Sequence, residues 1–256
     1  MPITTHKKLL LNCDMGESLG LWSMGLDEQA MPLVEMANIA CGFHASDPLT
    51  MNRTVLLAKQ SGVKIGAHPS YPDLVGFGRR SMQLPAEEII SLIHYQVGAL
   101  AGICQAHQLQ VSYVKPHGAL YNDMMRDQAI LKAVMQAIAS YDSDLPLMLL
   151  AKGDNDAEQQ MADAVGINLL FEAFADRAYD DNGLLLSRDI AGAVLDDPQR
   201  ILDQAMLLAT EGHVISHSGQ RLRIQADTLC VHGDNPESLK VLQQLRHQLN
   251  TIYNVQ

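Results

Sequence analysis

Reactive polar residues follow six short apolar runs of this 256-residue chain. The first run leads into Asp14 and Glu17, the second into His44 and Asp47, and the third into His68. The later runs lead into Lys115 and His117, then into Glu172, Asp176 and Arg177, and finally into His232 and Asp234. Such groups transfer protons, hold cations or bind anions, and α/β enzymes collect them where parallel strands end. The pattern therefore predicts an enzyme.

Carboxylates and imidazoles near the first three runs could handle protons or a metal ion. Asp14 and Glu17 share a turn with Gly16, and either could be a general base or both could hold a divalent ion. Asp47 precedes a proline, so it could equally cap a helix. A carboxylate followed by histidines after the next two strands resembles an Asp-His-His metal triad. These histidines include no closely spaced H-x3-H pair, and we predict no tightly bound metal.

Cationic side chains could bind an anion at the same edge. Lys115 stands where a strand ends and could neutralise an oxyanion or a phosphoryl group. Arg79 and Arg80 end a loop rich in proline and glycine, where they could clamp a carboxylate or phosphate or simply face solvent. Asp176 and Arg177 could form an internal ion pair or orient a substrate. The sequence leaves these alternatives open.

Strand and helix patterns alternate about seven times along the chain. Strands are predicted at 9–13, 36–41, 63–67, 111–114, 147–151, 167–171 and 229–231, and helices at 47–62, 85–104, 127–140, 154–165, 197–212 and from 235 onward. This alternation is typical of a parallel sheet with crossover helices. Chain length and reactive groups after nearly every strand favour a barrel over an open sheet. We expect one domain over 1–256, with a hairpin inserted at 214–224.

Composition and missing motifs exclude several classes of function. A net charge of −11 argues against nucleic acid or an anionic membrane as the main partner. The chain has no P-loop and no dinucleotide fingerprint. Its four cysteines lack C-x-x-C spacing, which favours buried thiols in a reducing compartment. The first apolar stretch is too short for a signal peptide, so we predict a cytoplasmic protein.

Six motifs resemble one known family. They are LNCDMGES, ANIACGFHASDP, GAHPSYPDLVGFGRR, VKPHGALYN, FEAFADRAYDDNG and CVHGD, in this order from about residue 9 to 236. They resemble the family of A subunits of the ATP-hydrolysing 5-oxoprolinase, also called lactam utilisation protein B. The chain departs from the family pattern at Ser46, where glycine is usual, and at Ser187, where proline is common. Neither change removes an ionisable group.

The resemblance implies an incomplete seven-stranded β/α barrel of TIM-like type, related to polysaccharide-deacetylase-like barrels. It implies ATP-dependent opening of the lactam 5-oxo-L-proline to L-glutamate, in a complex with subunits B and C, with Mg²⁺ arriving on ATP. The predicted catalytic residues are Asp14, Glu17, His44, Lys115 and His117. The predicted substrate-binding residues are Asp47, His68, Glu172, Asp176, Arg177 and His232, together with Arg79 from the loop. Two other functions fit these residues: a metal-dependent amide hydrolase or deacetylase that needs no ATP, and a non-catalytic lactam-binding subunit.

Overall fold

Seven parallel strands of the described chain close into a barrel in which neighbours follow chain order. The computed structural model describes residues 8–232 and 235–254, so Asp234 lies outside the described residues. The barrel strands are β1 (Leu10–Met15), β2 (Met36–Ala40), β3 (Lys64–His68), β4 (Tyr113–Val114), β5 (Leu147–Leu150), β6 (Leu169–Phe174) and β9 (Thr228–Cys230). Strand β9 pairs with both β6 and β1 and so closes the ring. The predicted seven-stranded, TIM-like barrel is confirmed.

Helices connect the strands. They are α1 (Asp27–Ala30), α2 (Pro48–Ser61), α3 (Ala86–Ala106), α4 (Gly118–Arg126), α5 (Gln128–Tyr141), α6 (Asp156–Val165), α7 (Pro198–Glu211) and α8 (Pro236–Asn254), with a 3₁₀ turn at Met31–Leu33. Helix α2 begins and ends at the predicted residues: Asp47 caps its first amides, and Gly62 ends it in the left-handed conformation. Helices α1 and α4 were not predicted, since each is short and lies inside a polar turn.

The inserted hairpin is also confirmed. Strands β7 (His213–Ile215) and β8 (Arg221–Arg223) pair antiparallel, with His213 opposite Arg223. They form a separate two-stranded sheet between α7 and β9. The barrel strands therefore keep their parallel order despite the insertion.

Helix α3 is long and apolar enough, by length and composition, to cross a membrane, and the described residues contain one such helix. Its apolar face includes Ile93, Val97 and Leu100, all of which are buried in the main core cluster. The opposite side of the helix includes exposed polar residues such as Glu88 and Ser91. This is the pattern of an outer barrel helix that packs one face on the sheet.

The barrel interior is built in layers, because alternate residues of each strand point inward. The lowest layer contains Met36, Tyr113 and Met148, which form a small cluster separate from the main core. Gly66 on β3 faces the Tyr113 ring, and a Cβ atom at Gly66 would collide with that ring. The glycine therefore makes room for the tyrosine that fills the centre of the barrel.

We predict that Gly66→Ala lowers the free energy of unfolding by about 1–3 kcal/mol, because the added methyl group overpacks the barrel against Tyr113. Gly102→Ala is the matched control, since a Cβ at this exposed position of α3 meets no neighbouring atom within 4 Å. The control is expected to be neutral or to stabilise by up to about 1 kcal/mol. Urea denaturation measures both, and equal stability of Gly66→Ala and the unmodified protein would contradict the packing argument.

Candidate active site

Nine of the predicted residues meet at the carboxyl ends of the barrel strands. Contacts of 4 Å or less link them into one connected group: Asp14, Glu17, His44, His68, Lys115, His117, Glu172, Asp176 and His232. They come from the ends of β1, β2, β3, β4, β6 and β9 and from the turns that follow. Catalytic groups of β/α barrels occupy this same face.

Lys115 is the centre of the group. Its Nζ atom lies 3.0 Å from Asp14 Oδ1 and 2.8 Å from Glu172 Oε1, and the lysine is 2% exposed. Burial lowers the pKa of Lys115, but attraction to Asp14 and Glu172 outweighs burial and raises the pKa well above its ordinary value. The side chain therefore stays a cation, held between carboxylates on β1 and β6, the two strands that flank β9.

The two carboxylates beside Lys115 also accept hydrogen bonds from neutral side chains. Asn38 Nδ2 donates to Asp14 Oδ1 at 2.8 Å, and the Tyr121 hydroxyl donates to Glu172 Oε2 at 2.9 Å. Burial raises the pKa of Asp14, but interactions with His68 and Lys115 lower it well below its ordinary value. Asp14 is therefore an ionised carboxylate at neutral pH.

His232 and Asp176 form a second ion pair at the mouth of the barrel. His232 Nδ1 lies 2.5 Å from Asp176 Oδ2, and His232 Nε2 lies 3.6 Å from Asp14 Oδ2. Burial lowers the pKa of His232, but Asp176 and Asp14 outweigh burial and raise it to about 10. The imidazolium therefore adds a second positive charge beside Asp14.

Glu17 lies above these ion pairs and behaves differently. Its Oε1 atom is 3.6 Å from His44 Nε2 and 3.9 Å from His117 Nδ1. Burial and the negative charge of Asp14 raise the pKa of Glu17 to about 7. A carboxyl group with this pKa can accept a proton near neutral pH, which suits a general base.

Three buried histidines pack around Glu17. The rings of His44 and His117 are stacked with their centroids 3.7 Å apart, and His68 meets His117 edge-on. One donor atom from each of Glu17, His44, His68 and His117 lies within 4.8 Å of the other three. A second group, Asp14, Cys230 and His232, has the same spacing. Within the described residues, these two groups could hold a metal ion.

The loop after β3 covers the histidines. Its Phe77 carbonyl lies 2.9 Å from His117 Nε2, and a Cβ at Gly78 would stand 2.8 Å from both His44 and His117. Gly78 also has a φ of +64°, which favours glycine. The loop can approach the histidines this closely because position 78 carries no side chain.

Three predicted residues have other contacts. Asp47 accepts hydrogen bonds from the amides of Leu49 and Thr50 and from Gly20, so it has the capping role that the sequence left open. Arg177 is buried and donates to the carbonyls of Ala193 and Leu186, which fixes the long loop after β6. Arg79 is exposed, and its guanidinium lies 4.9 Å from the centre of the Phe77 ring at the edge of the site. Its neighbour Arg80 pairs with Asp73.

Sequence reasoning missed the polar layer beneath Lys115. Asn12 Oδ1 accepts from Asn38 Nδ2 at 2.8 Å and from Lys115 Nζ at 3.3 Å. The Tyr113 hydroxyl donates to Asn38 Oδ1 at 2.7 Å. A signal was present in the sequence: Asn12 and Asn38 are polar residues inside otherwise apolar strands. A buried amide of this kind needs hydrogen-bond partners inside the barrel.

The fold and site define a seven-stranded β/α barrel with a buried, ionised centre at its carboxyl mouth. Residues 9–254 match the model of the LamB/YcsF family, and the chain belongs to this family. The 5-oxoprolinase A subunit of Pseudomonas fluorescens (strain Pf0-1) is 57% identical, over 95% of this chain and 97% of its own length. The 5-oxoprolinase A subunit of Vibrio campbellii (strain ATCC BAA-1116) is 52% identical, over 96% of this chain and 97% of its own.

Solved structures agree with the barrel. The lactam utilization protein from Thermus thermophilus is 39% identical and has a TM-score of 0.87, covering 96% of this chain and 97% of that one. A putative cellobiose-phosphate cleavage protein from Enterococcus faecalis V583 has a TM-score of 0.58 at 13% identity, covering 97% of this chain and 95% of that one. The second likeness shows the fold alone.

We predict that Asp176→Asn lowers the pKa of His232 by roughly 1–3 pH units, because the charged imidazole loses its nearest opposite charge. An NMR titration of the His232 ring measures this pKa. Asp181→Asn is the control, since the Asp181 carboxylate accepts from Ser216 and Ser218 instead of a histidine. An unchanged His232 pKa in Asp176→Asn would contradict the ion pair.

Proposed function

We propose that this chain is the A subunit of an ATP-dependent 5-oxoprolinase and that its barrel holds the lactam while the ring is opened to L-glutamate. The names of its relatives support the reaction. The observation that carries the proposal is the Lys115 ammonium, held between Asp14 and Glu172 below a carboxyl group of raised pKa, Glu17. A fixed cation beside a base is what attack of water on an amide carbon requires.

Coupling to ATP follows from the chemistry of the substrate. A five-membered lactam is a stable amide, and its hydrolysis to glutamate is unfavourable near neutral pH. The amide oxygen takes the terminal phosphoryl group of ATP, and ADP leaves. Water then adds to the activated carbon, the ring C–N bond breaks with protonation of the nitrogen, and a second water releases inorganic phosphate. The products are L-glutamate, ADP and phosphate.

The acidic and basic residues of the site have different roles in the reaction. Glu17 removes the proton from the attacking water, assisted by His44 and His117 beside it. Lys115 stabilises negative charge on the amide or phosphoryl oxygen, while Asp14 and Glu172 hold the lysine in place.

Other charged groups contact the rest of the substrate. The His232–Asp176 pair adds positive charge beside Asp14. Arg79 at the edge of the site is suited to the substrate carboxylate. His68 contacts Asp14 and His117 within the same group of residues.

We further propose that the chain acts in a cytoplasmic complex with subunits B and C, and that ATP enters with Mg²⁺. The relatives are named as subunits, which supports a multisubunit assembly. The chain has no P-loop, so either a partner subunit carries out the phosphorylation or this chain binds ATP in another way. Its four cysteines are buried free thiols, in keeping with a reducing compartment.

Reconstitution tests the proposal directly. Subunits B and C are mixed with 5-oxo-L-proline and ATP, with and without this chain, and glutamate and ADP are measured. We expect glutamate only when all three subunits and ATP are present. Glutamate release by this chain without ATP would favour the metal-dependent amide hydrolase. Unchanged turnover after simultaneous replacement of Asp14, His44 and Lys115 would favour a non-catalytic lactam-binding subunit.

We predict that Lys115→Met lowers kcat by about 10²–10³-fold, because the cation that stabilises developing negative charge is lost. This variant leaves two buried carboxylates facing each other and can lose stability for that reason. Lys115→Met/Glu172→Gln removes one charge of each sign and is expected to fold with equally low activity. Circular dichroism checks the fold of both. Full activity in the folded double variant would contradict the role of Lys115.

A further inference from the structure

The hydrogen bonds of His68 and His117 fix which ring nitrogen carries the hydrogen. His68 Nδ1 lies 2.7 Å from the Lys115 carbonyl oxygen, and His117 Nε2 lies 2.9 Å from the Phe77 carbonyl oxygen. A carbonyl oxygen only accepts, so His68 donates through Nδ1 and His117 donates through Nε2. In the neutral rings, the lone pairs are therefore on His68 Nε2 and His117 Nδ1.

These two lone pairs face each other. His68 Nε2 and His117 Nδ1 are 2.9 Å apart, which is hydrogen-bond distance, yet neither nitrogen has a hydrogen to donate when the rings are neutral. Both residues are buried, so water screens the repulsion little. A proton or a metal cation between the two nitrogens would remove this repulsion.

His44 supplies a third lone pair to the same place. Its Nδ1 atom lies 3.1 Å from Ser70 Oγ, which already donates its own hydrogen to the Tyr71 carbonyl and therefore accepts from His44. The lone pair of His44 is then on Nε2. This atom is buried, has no hydrogen-bond partner and lies 3.6 Å from Glu17 Oε1. A buried nitrogen without a hydrogen-bond partner destabilises the folded protein unless a ligand binds to it.

A single proton does not satisfy all of these groups. Protonating His68 would repair its contact with His117 but would leave His44 Nε2 without a partner. Because His44 and His117 are stacked at 3.7 Å, the two rings cannot both be charged at low cost. Three nitrogen lone pairs and a carboxylate therefore lie close together, and too few hydrogens are present to give each of them a hydrogen bond.

We propose that Glu17, His44, His68 and His117 bind one divalent transition-metal ion, with Zn²⁺ as the type. Three imidazole nitrogens with a carboxylate oxygen are typical ligands for zinc and its neighbours, whereas Mg²⁺ and Ca²⁺ prefer oxygen alone. Zn–N bonds of about 2.0–2.1 Å place tetrahedral ligand atoms about 3.4 Å apart, and the four atoms here lie within 4.8 Å of one another.

The bonds to the remaining ring nitrogens also fit a metal site. Histidines that bind metals almost always donate the other N–H to a carbonyl, a carboxylate or a similar acceptor, which sets the tautomer and the ring orientation. His68 and His117 do so to backbone carbonyls, and His44 does so to Ser70. The sequence prediction of no tightly bound metal rested on the absence of an H-x3-H pair among these histidines, but here the ligands come from separate strand ends.

The metal site rests on geometry alone, whereas its chemical role rests on the proposed function. With the ion bound, Glu17 would be a ligand instead of the general base, and a water taken up as a fifth ligand would supply the nucleophile. Lys115, paired with Asp14, keeps its role toward the developing oxyanion. Metal binding can therefore be tested without any measurement of lactam turnover.

Metal content of the purified chain is the first measurement. The protein is prepared without a polyhistidine tag or chelator and analysed by inductively coupled plasma mass spectrometry. We expect about one transition-metal ion per chain. The stripped chain is then titrated with Zn²⁺ alone by calorimetry, and with Co²⁺, whose visible spectrum reports tetrahedral nitrogen and oxygen ligands.

Ligand variants make the test specific. Loss of a residue that only hydrogen-bonds to a metal ligand usually lowers metal affinity 10–100-fold. His44→Gln and His117→Phe each remove a direct ligand, so each is expected to weaken Zn²⁺ binding by at least about 100-fold. His247→Ala is the control, because His247 is exposed on α8, and it is expected to keep the affinity of the unmodified chain.

The outcomes separate this proposal from the proposed function. Absence of metal in the purified chain together with no Zn²⁺ binding by the stripped, folded chain would overturn the site, and a His68 imidazolium seen by NMR would then explain the 2.9 Å contact. Equal Zn²⁺ affinity in His44→Gln and the unmodified chain would also overturn it. Stoichiometric binding without any 5-oxoprolinase activity would support the site and count against the function alone.

Discussion

The structure of the site depends on one buried cation held between two carboxylates. Lys115 from the end of β4 reaches across the barrel to Asp14 on β1 and Glu172 on β6. Burying these charges separately would cost several kcal/mol each, so each side chain requires the other two. The constraint extends to uncharged neighbours, because Asn38 also donates to Asp14 Oδ1 and Tyr121 donates to Glu172 Oε2, the oxygen that the lysine does not contact. The polar layer and the ion cluster are therefore one unit.

This unit divides the mouth of the barrel into two electrostatic zones. Around Lys115 the groups keep their charges at neutral pH, since the pKa of the lysine is raised and that of Asp14 is lowered. Around Glu17 the same burial acts on groups without a close opposite charge, so the carboxyl pKa rises to about 7 and the pKa of His44 falls. One zone is suited to stabilising charge, and the other to exchanging protons or holding a metal.

Much of the architecture was predictable because strand and helix patterns are local. Apolar runs located the barrel strands, and Asp47 with Gly62 marked both ends of α2. Convergence of the reactive groups followed from the rule that parallel strands end at one face. Helix α4 was not predicted, because it begins directly after His117, in a segment that the sequence analysis assigned to a proline-containing turn.

Side-chain direction was the part that the sequence could not supply. Asp47 and Arg177 stand near strand ends like the residues of the candidate site, but their side chains satisfy backbone groups of neighbouring loops. Asn12 lies two residues before Asp14, so strand alternation puts both on the inner face, and this regularity could have revealed the polar layer. The facing lone pairs of His68 and His117 depend on ring orientation, which sequence spacing does not determine.

The central claim is that Lys115 is a permanent cation inside the barrel. Nitrogen-15 NMR of the side-chain ammonium, assigned by its loss in the folded Lys115→Met/Glu172→Gln variant, measures this directly. We expect the Lys115 signal to stay that of a charged amine from about pH 6 to about pH 10, near the ordinary lysine pKa. Deprotonation of Lys115 below about pH 9 would show that burial outweighs the two carboxylates and would contradict the account.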